Sequence, residues 1–376
     1  MIFYLTQNMQ RIKIINIVGA RPNFMKIAPL MREYKKYSKI KSILVHTGQH
    51  YDQKMSAVFF KSLKIKKSDY NLEVGSDSHA KQTAKIMERL EPIFAKEKPD
   101  LVLVVGDVNS TIAAALTAVK MNIKVAHVEA GLRSFDRTMP EEINRLLTDH
   151  LSDFLFVTEK SGLINLKKEG IPKEKIYFVG NVMIDTLIAN LPQINRSKIT
   201  RKLKLKAGKF ILTTLHRPTN VDNKKSLEKI ASIFNNLSKT LNLVFPIHPR
   251  TKKNIKKMNL WNCFKNIKNL KIIEPLNYLD FMKLTKESFC ILTDSGGIQE
   301  EATYLKIPTL TMRKTTERPA TIECGSNFLI GLDKKQILKK IEDFTDFNRK
   351  NIKNLPLADG KTSQRIIKII TSQLRS

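Results

Sequence analysis

Short apolar runs recur along this chain, most of them followed by a longer stretch with helical spacing. Lys13–Val18, Ser42–Thr47, Leu101–Val105, Lys124–Val128, Phe154–Val157 and Ile176–Val179 are each brief and rich in Val, Ile and Leu. A strand that is apolar on both faces needs cover on both, and intervening helices supply it. The pattern therefore predicts a parallel sheet with helices on either side. Regularity lapses from Pro192 to Gly208, a polar and basic stretch that reads as a linker with a short helix. A second series follows, with Phe210–Leu215, Leu243–Ile247, Leu270–Ile273, Phe289–Leu292 and Thr309–Met312 as its strands. The expectation is an α/β chain of two doubly wound, Rossmann-like domains, 11–190 and 209–360, joined by a linker at 191–208. A last helix over 362–375 is expected to pack back on the first domain. At 376 residues there is room for two real cores.

In open α/β sheets ligands gather at the carboxyl ends of the strands. Gly19-Ala20-Arg21-Pro22 follows the first strand, with Lys26 a turn later, and Thr47-Gly48-Gln49-His50 follows the second. Gly106-Asp107 and Glu129-Ala130-Gly131-Leu132-Arg133 follow the third and fourth. In the second series His216-Arg217, His248-Pro249-Arg250 and Arg313 hold the equivalent places. Any one of these has an ordinary explanation, a capped turn or a surface ion pair. Their recurrence at one end of both sheets points to a central cleft that the two domains face.

Residues Thr293 to Ala302 read Thr-Asp-Ser-Gly-Gly-Ile-Gln-Glu-Glu-Ala, between an apolar strand and a helical pattern. Strand, then Ser295-Gly296-Gly297, then helix presents free backbone N–H groups to an anion. The glycines permit close approach, and the helix dipole adds roughly half a positive charge at that end. The adjoining Glu300 and Glu301 either favour the helix start or accept hydrogen bonds from ribose hydroxyls. A plain helix start is the alternative to the phosphate reading.

The formal net charge of +31 suggests nucleic acid, but the lysines are spread over nearly every surface helix rather than gathered in one stripe. The basic runs Arg201–Lys209 and Lys252–Lys257 lack interleaved aromatic residues. Solvated helix faces explain them, and the positive field helps draw in an anionic substrate. Three scattered cysteines, Cys263, Cys290 and Cys324, fit reduced thiols in a cytoplasm and no disulfide framework. No apolar run is long enough to span a bilayer, and Met1–Gln10 has no signal-peptide pattern. The first turn holds one glycine, so the three-glycine dinucleotide fingerprint is missing, as is a P-loop. His216 and His248 lack metal-ligand spacing. No nicotinamide, metal or other cofactor is expected.

These runs, together with Pro140-Glu141-Glu142-Ile143-Asn144-Arg145 and Arg313-Lys314-Thr315-Thr316-Glu317-Arg318-Pro319, stand in an order that resembles the UDP-N-acetylglucosamine 2-epimerases of the non-hydrolysing type. The resemblance covers about residues 11 to 375. It implies a fold like that of B-type glycosyltransferases, an active site in the cleft, and a UDP-sugar substrate. It also implies interconversion of UDP-N-acetylglucosamine and UDP-N-acetylmannosamine for glycan precursors, by a homodimer. Carried over residue by residue, it implies that Ser295, Gly296 and Gly297 hold the diphosphate and Glu301 the ribose. Phe281 falls where the family's backbone contacts uracil, Arg21 would contact the phosphates, and Lys26 would support the site. Asp107, Glu129 and Glu141 match the residues assigned to proton transfer, with Arg145 and His216 also in the active site. To these the physical argument adds Arg313 as a phosphate-neutralising cation.

The sequence departs from the commonest family pattern in four places. Asn23 stands where many members have an acid, and His216-Arg217-Pro218-Thr219-Asn220 replaces His-Arg-Arg-Glu-Asn. Asp52 replaces a second glutamine that goes with allosteric regulation, and Asn354-Leu355-Pro356-Leu357 replaces Asn-Pro-Tyr-Gly. The first two put the sugar's substituents in question, so a related UDP-acetamido sugar is one alternative substrate. A hydrolysing epimerase, a glycosyltransferase and a basic binding protein are the other readings, separable by product analysis and by salt-sensitive nucleic-acid binding.

Overall fold

The computed structural model describes residues 11–49 and 66–374, the side chain of Arg21 excepted. It divides into two compact units, one holding the described residues up to Thr186 and from Leu357 onward, the other Leu187–Pro356. Each is built on an all-parallel sheet.

The first sheet has seven strands, β1 (Ile12–Val18), β2 (Ile40–His46), β3 (Tyr70–Asn71), β4 (Leu101–Val105), β5 (Lys124–Ala130), β6 (Phe154–Val157) and β7 (Ile176–Phe178). Their spatial order is β3-β2-β1-β4-β5-β6-β7. The second has six, β8 (Phe210–Thr214), β9 (Asn242–Pro246), β10 (Leu270–Ile273), β11 (Cys290–Thr293), β12 (Thr309–Thr311) and β13 (Asn327–Leu329), in the order β10-β9-β8-β11-β12-β13. In both, strand order reverses beside the first strand, between β1 and β4 and between β8 and β11. Such a reversal leaves a crevice at the strands' carboxyl ends.

Alternation along the strands explains the double cover. Ile211 of β8 packs into one apolar cluster with Leu243, Phe245 and Leu292. Its neighbours Phe210 and Leu212 point the other way, into a cluster with Val244 and Ile291. Each such side chain, once buried, contributes about 1.5–3 kcal/mol, so both faces hold their helices. The eleven strands read from the sequence are all present within a residue or two of the observed ends. The two missed, β3 and β13, are edge strands of two and three residues, too short to show a period. Helix Val182–Arg196 continues through Pro192, so regular structure extends into the stretch expected to be a linker. The last helix, Thr362–Gln373, belongs to the first unit; its first turn donates Thr362 N–H and Ser363 N–H to the buried Asp185 at 3.1 and 2.8 Å. Among the described residues, no helix is long and apolar enough to cross a membrane.

Candidate active site

Gly19 follows β1 where a side chain has no room: a Cβ would lie 2.0 Å from Ser110 Oγ and 2.8 Å from Thr47 Oγ1. The turn is fixed by buried Asn23, whose Oδ1 accepts from the N–H groups of Gly19 and Ala20 at 3.1 and 2.8 Å. Its Nδ2 donates to the carbonyl of Val105 at 2.9 Å, at the end of β4. An ionised acid cannot make that last bond, which gives the departure at Asn23 a local reason.

Glu129, near the end of β5, has φ 77° beside a register shift between Val128 and Ala130. A non-glycine residue held there costs about 1–3 kcal/mol, and a bulge of this kind re-aims a side chain. Its carboxylate is buried and forms an ion pair with Lys26. An unpaired carboxylate at that depth would cost several kcal/mol, and Lys26 removes much of this. Gly106 makes room for the pair, since a Cβ there would lie 2.7 Å from Lys26 Nζ. Beside it, Asp107 Oδ2 accepts from Nε and Nη2 of Arg145 at 3.0 and 2.7 Å. Arg145 Nη1 meets Glu142 Oε2, which also accepts from Ser134 N–H and Oγ, while Oε1 accepts from Phe135 N–H. Glu141, one residue earlier on helix Pro140–Leu151, is half-buried.

The second unit has a different make-up. Asp294, fully buried after β11, accepts from the N–H groups of His216 and Arg217 at 3.1 and 3.0 Å and from Asn220 Nδ2 at 3.2 Å. His216 Nδ1 lies 3.1 Å from the same carboxylate. Burial alone would raise its pKa; His216 and the other donors outweigh this and hold it below the usual carboxylate range. His216 is thereby oriented with its ring partly exposed. Thr293 Oγ1 accepts from Ser295 N–H at 2.9 Å, and helix Gly297–Tyr304 opens directly after. A Cβ on Gly297 would meet nothing within 4 Å, whereas one on Gly296 would lie 3.3 Å from Glu317 Oε2.

Glu301 is buried with Tyr278, whose hydroxyl donates to Oε1 at 2.7 Å. Burial pushes the Glu301 carboxyl up to about 8; the Tyr278 hydrogen bond opposes this and the charge of Glu300 adds to it. Arg318 Nε sits 3.0 Å from Glu300. Both Nη atoms of Arg313 are directed at Glu317, each at 2.8 Å, so the expected phosphate-neutralising cation is turned first onto a protein carboxylate. Phe281 is half-buried among apolar side chains; its N–H donates to the Asn277 carbonyl at 3.0 Å and its carbonyl accepts from Thr285 Oγ1 at 3.0 Å.

Of the residues singled out in the sequence, the first unit thus groups Asp107 with Arg145 and Glu129 with Lys26, and sets Glu141 on Arg145's helix. The second groups His216 with the segment from Thr293 to Gly297, and Glu301 with the helix that carries Phe281. Arg21 opens helix Arg21–Tyr34, but its side chain, like His50 and Asp52, lies outside the described residues. Glu142, Tyr278, Asp294 and Glu317 were not singled out. Glu142, Asp294 and Glu317 stand inside the sequence motifs and Tyr278 three residues before Phe281, and only the folded contacts distinguish them.

The fold and these clusters define a class: a two-unit α/β enzyme with paired acids at one switch point and a glycine-opened helix at the other. The chain belongs to the UDP-N-acetylglucosamine 2-epimerase family, whose model matches residues 32–371. It is 46% identical over 363 residues to the UDP-N-acetylglucosamine 2-epimerase of Methanococcus maripaludis, covering 95% of this chain and 98% of that one. It is 40% identical over 331 residues to the UDP-2,3-diacetamido-2,3-dideoxy-D-glucuronate 2-epimerase of Pseudomonas aeruginosa, covering 87% and 90% of the two chains. The crystal structure of the Methanocaldococcus jannaschii UDP-GlcNAc 2-epimerase in complex with UDP-GlcNAc and UDP superposes with TM-score 0.89 at 44% identity, covering 96% of this chain and 100% of that one.

Proposed function

We propose that this protein interconverts UDP-N-acetylglucosamine and UDP-N-acetylmannosamine by eliminating UDP across C1–C2 and adding it back, without net hydrolysis. The observation that carries this reading is the pairing of Glu129 with Lys26 and Asp107 with Arg145 at the switch point of an epimerase-family fold. The C2 proton is not next to a carbonyl, so direct removal is slow. Loss of UDP makes C2 planar, and inversion then needs a proton to leave one face and another to arrive on the opposite face. At least two acid–base groups are required, and Asp107, Glu129 and Glu141 are the groups assigned to this task. The departing diphosphate needs N–H groups and cations where its charge develops, the role given to Ser295, Gly296, Gly297 and Arg21. Glu301 takes the ribose hydroxyls.

The Pseudomonas relative supports a second reading, a related UDP-acetamido sugar as the physiological substrate on the same chemistry. Incubation with UDP-N-acetylglucosamine in D₂O tests the first. The expected product is UDP-N-acetylmannosamine carrying deuterium at C2, with no build-up of free N-acetylmannosamine. Free sugar as the main product would replace this reading with a hydrolysing one, and protium retained at C2 would exclude the elimination route. Turnover of only the diacetamido uronate would decide for the second reading.

A further inference from the structure

Asp149 is wholly buried, distant in sequence from the quoted motifs of the first unit's strands, and has no part in the reaction proposed above. Its contacts converge on Glu129 from both sides. Oδ1 lies 2.6 Å from Nδ1 of His127, the residue two before Glu129. Oδ2 accepts from the N–H of Gly131, two after it, at 3.0 Å, and from Arg133 Nη2 at 2.7 Å. One carboxylate therefore grips β5 on either side of the residue with the left-handed backbone. His127 reaches further: Nε2 donates to the carbonyl of Gly106 at 2.8 Å, the residue before Asp107. Asp149 itself stands one turn beyond Arg145 on helix Pro140–Leu151, the helix that also carries Glu141.

We propose that His127 and Asp149 are a buried positioning pair that fixes the placement of Glu129, Asp107 and Glu141 relative to one another. The inference rests on the proton-transfer roles given above. Three elements meet at this pair: the end of β4, the bulged end of β5 and the helix opened by Pro140. No other reason for so costly an arrangement is needed than that Glu129 would relax from its left-handed backbone without it. Gly131, at φ 80°, closes the far side, because a Cβ there would lie 2.5 Å from the carbonyl of Gly162. Burial would raise Asp149, but its neighbours His127 and Arg133 outweigh this and hold its carboxyl below the usual range. Displacing an acid by a fraction of an ångström to an ångström costs turnover on the order of 10²-fold while leaving substrate affinity in place.

Two substitutions separate the pair's contacts. His127→Gln can keep the Gly106 contact but loses Asp149, and His127→Asn can keep Asp149 but no longer reaches Gly106. In each, kcat per folded molecule should fall by about tenfold or more, with KM and the UDP Kd within about twofold of the parent. A crystal structure of either variant should show the Lys26–Glu129 ion pair broken or Glu129 released from its left-handed conformation. A lowered Tm with kcat per folded molecule unchanged would overturn the proposal, as would an intact Lys26–Glu129 pair with Glu129 still left-handed in both variant structures. If neither variant folds, Asp149→Asn is read by the same kcat-against-KM split and the same ion pair. A parent protein inactive on UDP-sugars would remove the reaction instead, and the variant structures would then decide the pair's role alone.

Discussion

The two switch points share a strand order and little else. At the first, between β1 and β4, charge is placed in pairs: Lys26 with Glu129, Arg145 with Asp107 and Glu142. At the second, between β8 and β11, the strand end is organised by one buried carboxylate, Asp294, and the chain then runs through small residues into a helix. Paired acids can pass protons but leave little backbone open. A glycine-opened helix start offers N–H groups and space but no base. The same topology therefore supplies position only, and the side chains at the strand ends decide whether that position holds proton-transfer chemistry or an anion.

This contrast breaks most sharply at the acids. Asp107→Asn, Glu129→Gln and Glu141→Gln should each lower turnover by roughly 10² or more, the usual worth of a positioned acid or base. UDP affinity, measured by calorimetry, should persist in at least two of the three, since the task proposed for them is at the sugar. Loss of UDP binding in all three folded variants would end this division of labour. Glu129→Gln carries an added cost, because it leaves Lys26 buried without its charge partner.

The second largest effect belongs to Gly297. Beyond its own helical turn, a Cβ there meets nothing within 4 Å, so Gly297→Val should leave Tm nearly unchanged. UDP affinity should nonetheless fall by about tenfold or more, because the added methyls take up space beside the helix-start N–H groups. Gly296→Val sharpens the result: its Cβ would approach Glu317 at 3.3 Å, so both Tm and affinity should drop. Unchanged UDP affinity in folded Gly297→Val would remove the anion from this helix start.

Much of this was legible in the sequence, for particular reasons. Strands such as Leu101–Val105, buried on both faces, announce themselves as unbroken apolar runs. The site residues stood out because chemically capable polar side chains recur at the carboxyl ends of the strands in both series, where ligands gather in open α/β sheets. Less visible was everything that depends on which of two like neighbours turns inward. Glu141 and Glu142 are indistinguishable by type, yet Glu142 is the one buried against Arg145, Ser134 and Phe135. The same holds for Glu300 and Glu301, sorted only by the reach of Arg318 and Tyr278. Leu357 stands where relatives often have glycine, and it takes φ 53° all the same, a backbone preference that a leucine conceals.

The smallest effect, and the finest test of the comparison, concerns Glu301. In the ligand-free fold its carboxyl is pushed up to about 8 from the ordinary 4.5, chiefly by burial. The folded chain therefore binds a proton there that the unfolded chain releases. Stability from this group is fully present below about 4.5 and is lost as pH rises through about 8. Ribose hydroxyls are donors and favour the ionised carboxylate, so UDP affinity should rise several-fold over the same window, from about pH 6 to about pH 9. Titration of UDP's own groups is removed by comparison with Glu301→Gln, in which this part of the rise should vanish. Tyr278→Phe deletes the hydroxyl that steadies the ionised form, so the rise should move to higher pH without losing its height. Calorimetric Kd values across that range decide it: parallel profiles for the parent and Glu301→Gln would take the ribose away from Glu301 and leave the second switch point with an anion contact alone.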